Sequence, residues 1–567
     1  MKHFTTLMKK MCVLAVMLLA GMFTAKAADF MVDSICYNII GDNEVEVTSR
    51  DVKYTGEVSI PSSVTFDNII YQVTAVGNQA FSGCQEMTNI DIPEGVTRIG
   101  NYAFSSCKKL ESVEFPTSLI SIGEYVFSGC DLITSIYLPR NVAQIAAFAF
   151  YNCDIAYYMC SSNNNHFKAV NGVLYSKDMT RLEAYPNAAE ATSFSIPSTV
   201  TTIQKGAFAN AINLAQVSFP ESVVWIGASA FRNCDVLETV DFSDNIRYIG
   251  PACLYNCDKL AYVHLPASLD TIKNGVFSKL PALTELTIPR NVKFIDNFAF
   301  SESRALKTVN FEEGSCLLGI GLRSFDYCTS LESFDMPNTV TTMDVEVFGN
   351  CTALKSVHLS DNLVDMNSST FWGCSALTEC EIPGGVRSLK NVLIACTALK
   401  RVKIGDKNSA PGITTIKNCG IARCYQLEYL ELGANVDSLE SSAINDLDSL
   451  KVIICWAATP PKCHNYWSSF SPEPAKLNAT LYVPKAYLEA YRTAKDWKDF
   501  RAIYPIEDVG DVNGDSNISI ADVTALINIL LSGETTAAIP LGDIDFDGKI
   551  SISDVTSLIN RLLSSDI

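Results

Sequence analysis

The sequence predicts an α/β solenoid of short stacked strands, followed by a small all-α domain. A unit of about 23 residues recurs through most of the chain, with Phe, Pro, Gly and Cys at fixed phases, and the last sixty residues contain two nearly identical segments. Self-similarity at a period of about 20 to 50 residues is typical of repeat architectures. This organisation replaces the roughly four separate domains that 567 residues would otherwise suggest.

Composition excludes several classes of protein. Hydrophobic residues make up 48% of the chain and charged residues 19%, which excludes a disordered chain. The 62 acidic and 43 basic residues give a net charge of −19, which argues against a nucleic-acid binder because phosphate contacts need an excess of Lys and Arg. Only 5 His are present and they are scattered, so a metal site built from several histidines is not expected.

The first 27 residues have the order of a secretory signal peptide. Three lysines within residues 1–10 precede an apolar run at 11–23, and Ala25-Lys26-Ala27 closes it. A retained membrane anchor is the alternative, but the run is shorter than the ~20 residues that span a bilayer. We predict cleavage after Ala27, which removes four lysines and gives a secreted mature chain of charge −23. No later stretch of 18 apolar residues predicts a transmembrane segment.

Each repeat predicts one coil of a solenoid. In a segment such as 110–116, Val113 and Phe115 alternate as the inward residues of a short strand, and the proline that follows ends the strand. One coil cannot bury its own apolar face, so neighbouring coils must stack. The anchor phenylalanines of the following turn are Phe81, Phe104, Phe127, Phe150, Phe208, Phe231, Phe277, Phe300, Phe325, Phe348 and Phe371.

The repeat sets the predicted domain boundaries. Within the segment at about 154–190, the residues from Phe167 to Pro186 predict a hairpin that leaves the stack, with Asn171-Gly172 as its turn. After the repeat fades, Tyr487, Tyr491 and Trp497 have helix-like spacing, and we interpret them as buried core rather than as a ligand site. The boundaries are 1–27 for the signal peptide, 28–60 for an N-terminal cap, 61–455 for the solenoid, 456–507 for a C-terminal cap or linker, and 508–567 for the last domain.

Eleven of the twenty cysteines lie three positions after an anchor phenylalanine or after one of its equivalents in other coils, Leu254, Leu393 and Ile421. Disulfides are the usual expectation for an exported chain, but side chains in one stacked column point in parallel, which is poor disulfide geometry. The sequence contains no C-x-x-C pair, so nothing in the cysteine spacing suggests a zinc site. We therefore predict buried free thiols in this column and name Cys455 and Cys463 as the best candidates for a pair elsewhere. The column is Cys84, Cys107, Cys130, Cys153, Cys234, Cys257, Cys328, Cys351, Cys374, Cys396 and Cys424.

Taken together, these fixed-phase residues resemble the BspA-like, treponemal-type leucine-rich repeat family over roughly residues 60–455. The resemblance implies an extended recognition surface on the stacked strands. The outward positions carry mixed charges and few aromatics, so a merely solvated face is an equal alternative to a site for a protein or glycan. The residues that stand out as partner-binding candidates are Tyr137, Tyr262, His264, His358 and Tyr429.

Two tandem segments near the C-terminus have the pattern of a calcium loop followed by a helix. The first begins at Asp511 and the second 32 residues later at Asp543, and 511–532 and 543–564 share 14 of 22 residues. Oxygen-bearing side chains at positions 1, 3, 5, 9 and 12 suit Ca²⁺, which takes about six to eight oxygen ligands, and position 7 can give its backbone carbonyl. The alternative is an acidic loop without metal, but two such loops in tandem are hard to obtain by chance.

The duplicated loop–helix pattern resembles a dockerin module, because Asp closes each loop and no ordinary helix precedes the first. The resemblance implies Ca²⁺ as cofactor and a cohesin module of a scaffold protein as partner. Ser516 stands where the family has glycine, and this makes the first loop the less favourable site. The implied ligands are Asp511, Asn513, Asp515, Asn517 and Asp522, and then Asp543, Asp545, Asp547, Lys549 through its carbonyl, and Asp554.

Three functions fit this organisation. The first is an exported, non-catalytic recognition or adhesion protein that docks through its tail. The second is an accessory or catalytic component of a polysaccharide-degrading complex, since dockerins often carry glycoside hydrolases. Such an enzyme needs two carboxylates at a set separation, and no segment here departs from repeat or cap into a catalytic domain. The third is a structural spacer. We favour the first function and expect no catalytic residues.

Overall fold

The computed structural model describes residues 28–407, 412–463, 469–471, 479–533, 540–547 and 549–564. The predicted signal peptide, residues 1–27, lies outside these ranges. The chain forms two compact units, the first within 1–191 and 202–213 and the second within 192–201 and 214–567.

The first unit opens with hairpins and continues as stacked coils. Strand β3 pairs in parallel with β6, and β6 pairs in parallel with β8, which begins the ladder of the repeats. The strands of this unit are β1 (Phe30–Val32), β2 (Ile35–Gly41), β3 (Glu44–Thr48), β4 (Gly56–Ser59), β5 (Ser63–Phe66), β6 (Ile69–Val76), β7 (Met87–Asp91), β8 (Arg98–Ile99), β9 (Ser121–Ile122), β10 (Ser135–Leu138), β11 (Gln144–Ile145), β12 (Tyr157–Cys160), β13 (Phe167–Val170), β14 (Val173–Ser176), β15 (Arg181–Ala184) and β17 (Thr202–Ile203).

In the second unit one strand of each coil contributes to a surface that we call the long-strand face. The strands of this face belong to four sheets, and within each sheet neighbouring strands pair in parallel, as β20 does with β22. The strands are β16 (Ser193–Ser195), β18 (Gln216–Ser218), β20 (Thr239–Asp241), β22 (Tyr262–His264), β24 (Glu285–Ile288), β26 (Thr308–Phe311), β28 (Ser333–Asp335), β30 (Ser356–His358), β32 (Glu379–Ile382), β35 (Arg401–Ile404), β38 (Tyr429–Leu432), β41 (Val452–Cys455), β44 (Thr480–Val483) and β45 (Ala502–Pro505).

A second ladder of two-residue strands runs along the other side of each coil, and the last coils add a third. The second ladder contains β19 (Trp225–Ile226), β21 (Tyr248–Ile249), β23 (Thr271–Ile272), β25 (Phe294–Ile295), β27 (Gly319–Ile320), β29 (Thr342–Met343), β31 (Asp365–Met366), β33 (Ser388–Leu389), β36 (Thr415–Ile416), β39 (Ser438–Leu439) and β42 (Lys462–Cys463). The third contains β34 (Leu393–Ile394), β37 (Ile421–Ala422), β40 (Ile444–Asn445) and β43 (Phe470–Ser471).

Within the described part of the chain, α-helices occur only after Pro484: α1 (Leu488–Thr493), α2 (Ile520–Ser532) and α3 (Ile552–Leu563). The stacked-coil fold and the small helical end are therefore confirmed, and the solenoid itself is built from β-strands and turns. Strands β44 and β45 extend the long-strand face past residue 455 by parallel pairing, although the side-chain repeat has already faded there.

The anchor phenylalanines form the core of each coil. Phe325 is fully buried and stacks between Phe300, with ring centroids 4.9 Å apart, and Phe348, at 5.6 Å. This spacing is close to the ~4.8 Å between paired strands, so the rings and the backbone ladders keep one register. The coils also approach closely at glycine, because a Cβ on Gly123 would lie 2.7 Å from the backbone nitrogen of Asn101.

Two residues of each anchor turn adopt left-handed backbone conformations, one two residues before the anchor and one two residues after it. In the coil of Phe348 these are Glu346 and Asn350, each with φ +56°. Only glycine adopts this region without strain, and asparagine tolerates it better than most residues. The later position holds glycine or asparagine in eight coils and another residue, such as Ser106, Lys279, Glu302 or Tyr327, in the rest; the eight are Gly83, Gly129, Asn152, Asn210, Asn233, Asn256, Asn350 and Gly373.

None of the 19 cysteines in the described part of the chain forms a disulfide. The Sγ of Cys351 donates to the carbonyl oxygen of Phe325, the anchor of the preceding coil, at 3.1 Å. Ser303 occupies the same column and its hydroxyl donates to the Phe277 carbonyl. Cys455 and Cys463 form no disulfide, and Cys455 accepts a hydrogen bond from Tyr491 at 3.2 Å. The same thiol contact recurs at Cys107, Cys130, Cys153, Cys257, Cys328, Cys374, Cys396 and Cys424.

The inserted segment forms the predicted hairpin, but it does not leave the stack, and that part of the prediction is wrong. The turn at Asn171-Gly172 joins β13 and β14, and both residues have positive φ, as the hairpin requires. Strand β15 then pairs antiparallel with β14 and in parallel with β17 of the next coil. Because β15 runs in the same direction as the strands of the repeats, β17 can pair with its edge, and the ladder continues directly from the insertion.

The cap contains a small aromatic core. Tyr491 and Trp497 are buried, and Trp497 Nε1 donates to the Pro461 carbonyl at 2.8 Å. Tyr487 is 38% exposed, and Trp497 lies beyond the end of α1, so the helix-like spacing of the three aromatics does not put them on one helix.

We expect the thiols of the cysteine column to react slowly in the native protein. Burial raises the pKa of Cys328, Cys351 and Cys374, so the nucleophilic thiolate is scarce at pH 8. Titration with a thiol reagent followed by peptide mapping should label exposed Cys316 first and these three cysteines of the column only after denaturation. Equal labelling rates in the native protein would contradict this packing.

Candidate metal centre and docking faces

The two C-terminal loops lead into their helices through the same capping arrangement. The hydroxyls of Ser519 and Ser551 accept from the second residue of α2 and α3. In return, Asp522 Oδ2 accepts the backbone N–H of Ser519 at 2.8 Å, and Asp554 Oδ2 accepts that of Ser551 at 2.8 Å. This is a capping box, and it makes the last residue of each loop the third residue of the helix.

The closing aspartates also hold the beginning of each loop. Asp522 Oδ1 accepts the backbone N–H of Val512 at 2.8 Å and that of Asn513 at 3.1 Å. Asp554 Oδ1 accepts the N–H of Ile544 at 2.7 Å. Both carboxylates are completely buried, and burial raises the pKa of Asp554. Each loop is therefore closed on itself by one buried carboxylate.

In the first loop the backbone curls around Asp511, which is 6% exposed. Its Oδ1 accepts the N–H of Gly514 at 2.8 Å and of Asp515 at 3.0 Å, and its Oδ2 accepts the N–H of Ser516 at 2.8 Å. Ser516 has φ +67°. The expected strain at this position is thus present, because a residue with a Cβ occupies the left-handed region.

The second loop brings its carboxylates together. Asp543, Asp545 and Asp547 each place one oxygen within 4.8 Å of the others. The backbone N–H of Asp547 donates to Asp543 Oδ1 at 3.0 Å and to Asp545 Oδ1 at 3.1 Å, and that of Lys549 donates to Asp547 Oδ1 at 2.9 Å. Three aspartates within this distance suit a hard divalent cation.

The remaining predicted ligands of the first loop lie in the same kind of turn. The Asn513 amide nitrogen donates to Asp515 Oδ2 at 2.9 Å, and the backbone N–H of Asn517 donates to Asp515 Oδ1 at 2.8 Å. Every side-chain atom predicted to ligate a metal in the two loops is an oxygen, and oxygen ligands are the ones that Ca²⁺ prefers. The residues present fit this ion, and the second loop has the tighter carboxylate cluster.

The two helices pack on a shared core and leave matched apolar residues outside. Val523, Leu526, Ile550 and Leu558 are buried between them. On the surface, Ile520 is 71% exposed and its counterpart Ile552 is 77% exposed. Since corresponding residues of a duplicated unit are exposed in both copies, the module presents two similar faces. The pairs are Ile520 and Ile552, Ile527 and Ile559, and Leu531 and Leu563.

Tyr429 is not available as a partner-binding residue, and this prediction is wrong. It is 6% exposed because Phe546 of the second loop covers it, with ring centroids 6.3 Å apart. The Arg401 guanidinium lies 3.9 Å from the Tyr429 ring centroid, and the Tyr429 hydroxyl donates to Glu431 at 2.7 Å. The helical module packs on this end of the long-strand face.

The other four partner-binding candidates are on the strand surface. Tyr137 is 49% and Tyr262 55% exposed, and His358 is exposed. His264 Nδ1 lies 3.0 Å from Asp241 Oδ1 on the neighbouring strand, a partner that the sequence did not single out. The structure brings Tyr262 and His264 together on β22, whereas His358 is four strands further, about 19 Å at the usual strand spacing.

Sequence comparison places this chain in a family. Six copies of the BspA type leucine rich repeat region match residues 59–170, 181–307 and 319–451, which is more than half of the chain. The chain belongs to the BspA-type leucine-rich repeat family. A dockerin type I domain matches residues 509–563 of this BspA-type protein, and both matched modules are non-catalytic. None of the helices in the described ranges is both long and apolar enough to cross a membrane.

Similar solved structures are bacterial leucine-rich repeat proteins. One from Eubacterium ventriosum is 26% identical and covers 60% of this chain and 93% of its own, with a TM-score of 0.45. One from Bacteroides ovatus is 24% identical and covers 84% of this chain and 99% of its own, with a TM-score of 0.39. A leucine rich cell surface protein from Faecalibacterium prausnitzii is 20% identical over 61% and 97%, with a TM-score of 0.36. A search of curated proteins returns no match.

The closing aspartates should stabilise the module even without metal. Asp554→Ala removes the acceptor of partly buried backbone N–H groups, and we expect a loss of about 1–3 kcal/mol in the free energy of unfolding of this module. Hydrogen exchange of residues 543–563 in a chelating buffer measures it. Asp258→Ala, at an exposed turn of the repeats, is the matched control. Equal exchange in the two variants would contradict the closing role of Asp554.

Proposed function

We propose that this protein is an exported, non-catalytic recognition or adhesion protein that docks through its C-terminal module. The observation that carries the proposal is the duplicated loop–helix unit, with closed acidic loops and two matched apolar faces. The repeat region supplies a recognition surface, and the dockerin type I match supplies the docking mode. Export rests on the signal-like sequence of residues 1–27.

Calcium would bind in the two acidic loops. The proposed ligands are the oxygens at positions 1, 3, 5, 7 and 12, with Lys549 acting through its carbonyl. Bound calcium would neutralise the carboxylates, which otherwise repel one another in the second loop. The chain's own contribution is to close each loop in advance, through Asp522 and Asp554, so that fewer residues must be ordered when the ion binds.

The proposed partner of the module is a cohesin on a scaffold or cell-surface protein. Exposed Ile520, Ile527 and Leu531 form one candidate face, and the equivalent residues of α3 form the other. Apolar residues grouped in this way on a protein surface mark an interaction site rather than a solvated face. Both faces remain exposed while the module packs on the repeats.

On the repeats of the second unit, the proposed site for a protein or glycan partner uses the exposed residues Tyr262, His264 and His358, and Tyr137 is a separate candidate in the first unit. Tyr262 and His264 form one compact group with Asp241. His358 lines a groove of about 670 Å³ together with Glu381 and Lys403, which are ion-paired. Tyrosine is among the residues enriched at the energetic centres of protein interfaces, so Tyr262 is the residue of this group best suited to contact a partner.

Docking should require calcium. The full chain, incubated with recombinant cohesin modules in calcium, should be retained, and EDTA should release it. Substituting Leu531 and Leu563 together by Asp should abolish retention while leaving calcium binding intact, because both side chains are on the surface. Tyr137→Asp, on the repeat face, is the control that should dock normally.

Retention that persists in EDTA would contradict calcium-dependent docking. The non-catalytic proposal is tested separately, by incubating the purified chain with polysaccharides. Reproducible hydrolysis that disappears with a single carboxylate substitution would contradict it.

A further inference from the structure

The second acidic loop packs against the repeats through its own side chains. Phe546, at position 4 of the loop, has its ring centroid 5.1 Å from that of Tyr482 at an interplanar angle of 74°. Tyr482 belongs to β44, and together with Tyr429 and Tyr504 it forms what we call the aromatic patch. The residue that contacts the patch lies between two proposed metal ligands, Asp545 and Asp547.

The contact continues on both sides of Phe546. Ile544, at position 2, packs on the aromatic patch and also on the core between α2 and α3. Leu541, just before the loop, packs on the patch as well. Along this loop, therefore, positions 2 and 4 face the repeats while positions 1, 3 and 5 supply the clustered carboxylates.

Hydrogen bonds fix both partners of this contact. The Tyr482 hydroxyl donates to the Pro540 carbonyl at 2.9 Å, which ties the patch to the segment leading into the loop. The Arg401 guanidinium packs on the face of the Tyr429 ring. Glu431, which accepts the Tyr429 hydroxyl, also accepts a hydrogen bond from Trp456 Nε1 at 2.8 Å. The patch is a preformed surface on paired strands rather than a mobile loop.

The first loop has no equivalent contact. Its position 4 is Gly514, where an added Cβ would meet nothing within 4 Å. The two copies are otherwise 14 of 22 residues identical, so the replacement of glycine by phenylalanine is a specific difference between them. Phe546 accepts a left-handed conformation, with φ +57°, which is strained for an aromatic residue and needs compensation from its surroundings.

We propose that Phe546 and Tyr482 are positioning residues for the second calcium site, so that ion binding there and packing of the module on the repeats reinforce each other. This proposal rests on the proposed function, because it requires that the loops bind calcium. By holding Phe546, the aromatic patch holds the flanking Asp545 and Asp547 in place before the ion arrives. Coupling between two such equilibria is reciprocal: calcium must strengthen the packing by the same factor by which packing strengthens calcium binding.

The test is calcium binding by the full chain, measured by calorimetry. In an Asp511→Asn background, which removes a ligand of the first loop, the remaining site should be the second. Tyr482→Ala, which lies outside both loops, should weaken this site by about fivefold or more, the lower end of typical coupling. Phe546→Ala should weaken the site by a similar factor. Phe546→Leu keeps the apolar contact, and the control Phe294→Ala changes an exposed residue of the repeats, so both should stay within about twofold of the parent affinity.

Hydrogen exchange tests the reciprocal effect. Adding calcium should slow exchange in peptides that contain Tyr482, and Phe546→Ala should remove this effect while strands far from the module, such as β22, exchange as before. Tyr482→Phe keeps the ring and serves as the variant of choice if the alanine variant misfolds; by losing the bond to Pro540 it should still reduce the calcium-dependent protection.

The outcomes separate the two proposals. If both loops bind calcium and neither Tyr482→Ala nor Phe546→Ala changes the affinity of the second site, the positioning role alone is overturned. Absence of calcium binding by the wild-type chain would overturn this role and the proposed calcium-dependent function together.

Discussion

The fixed spacing between coils is the constraint on which the rest of this structure depends. Paired strands lie about 4.8 Å apart, and the anchor rings stack at nearly the same distance, 4.9 Å for Phe300 and Phe325 and 5.3 Å for Phe104 and Phe127. Since no coil can bury its apolar face alone, each must present the same ring, thiol and turn to its neighbours. The 23-residue period and the cysteine column are consequences of this requirement.

Features that repeat in side chains could be predicted from the sequence, and features carried by the backbone could not. The anchor and cysteine columns leave a signal in every coil. Strands β44 and β45 leave none, because a parallel ladder needs only backbone groups and accepts almost any side chain. The prediction that the inserted hairpin leaves the stack failed for the same reason, because β15 joins the ladder through its backbone edge. The left-handed turn positions are only partly visible in the sequence, because glycine or asparagine follows some anchors while Ser106, Lys279 and Tyr327 follow others.

The same distinction applies to the functional module. Both acidic loops could be predicted because their ligands lie within twelve residues of one another, and the capping geometry is equally local. The burial of Tyr429 could not, since it depends on Phe546, more than a hundred residues away in the chain. The end of the long-strand face thus serves two purposes: it closes the stack of coils and it holds one loop of the docking module, while the outer faces of α2 and α3 stay exposed.

The most direct test of the account is the cost of removing one stacked ring. Phe325 is fully buried between Phe300 and Phe348, whereas Phe294 is 46% exposed on the same unit. If stacking holds the coils, chemical denaturation should show that Phe325→Ala lowers the free energy of unfolding by about 3–5 kcal/mol, and that Phe294→Ala lowers it by under about 1 kcal/mol. Similar small losses in both variants would contradict the central role of the ring stack.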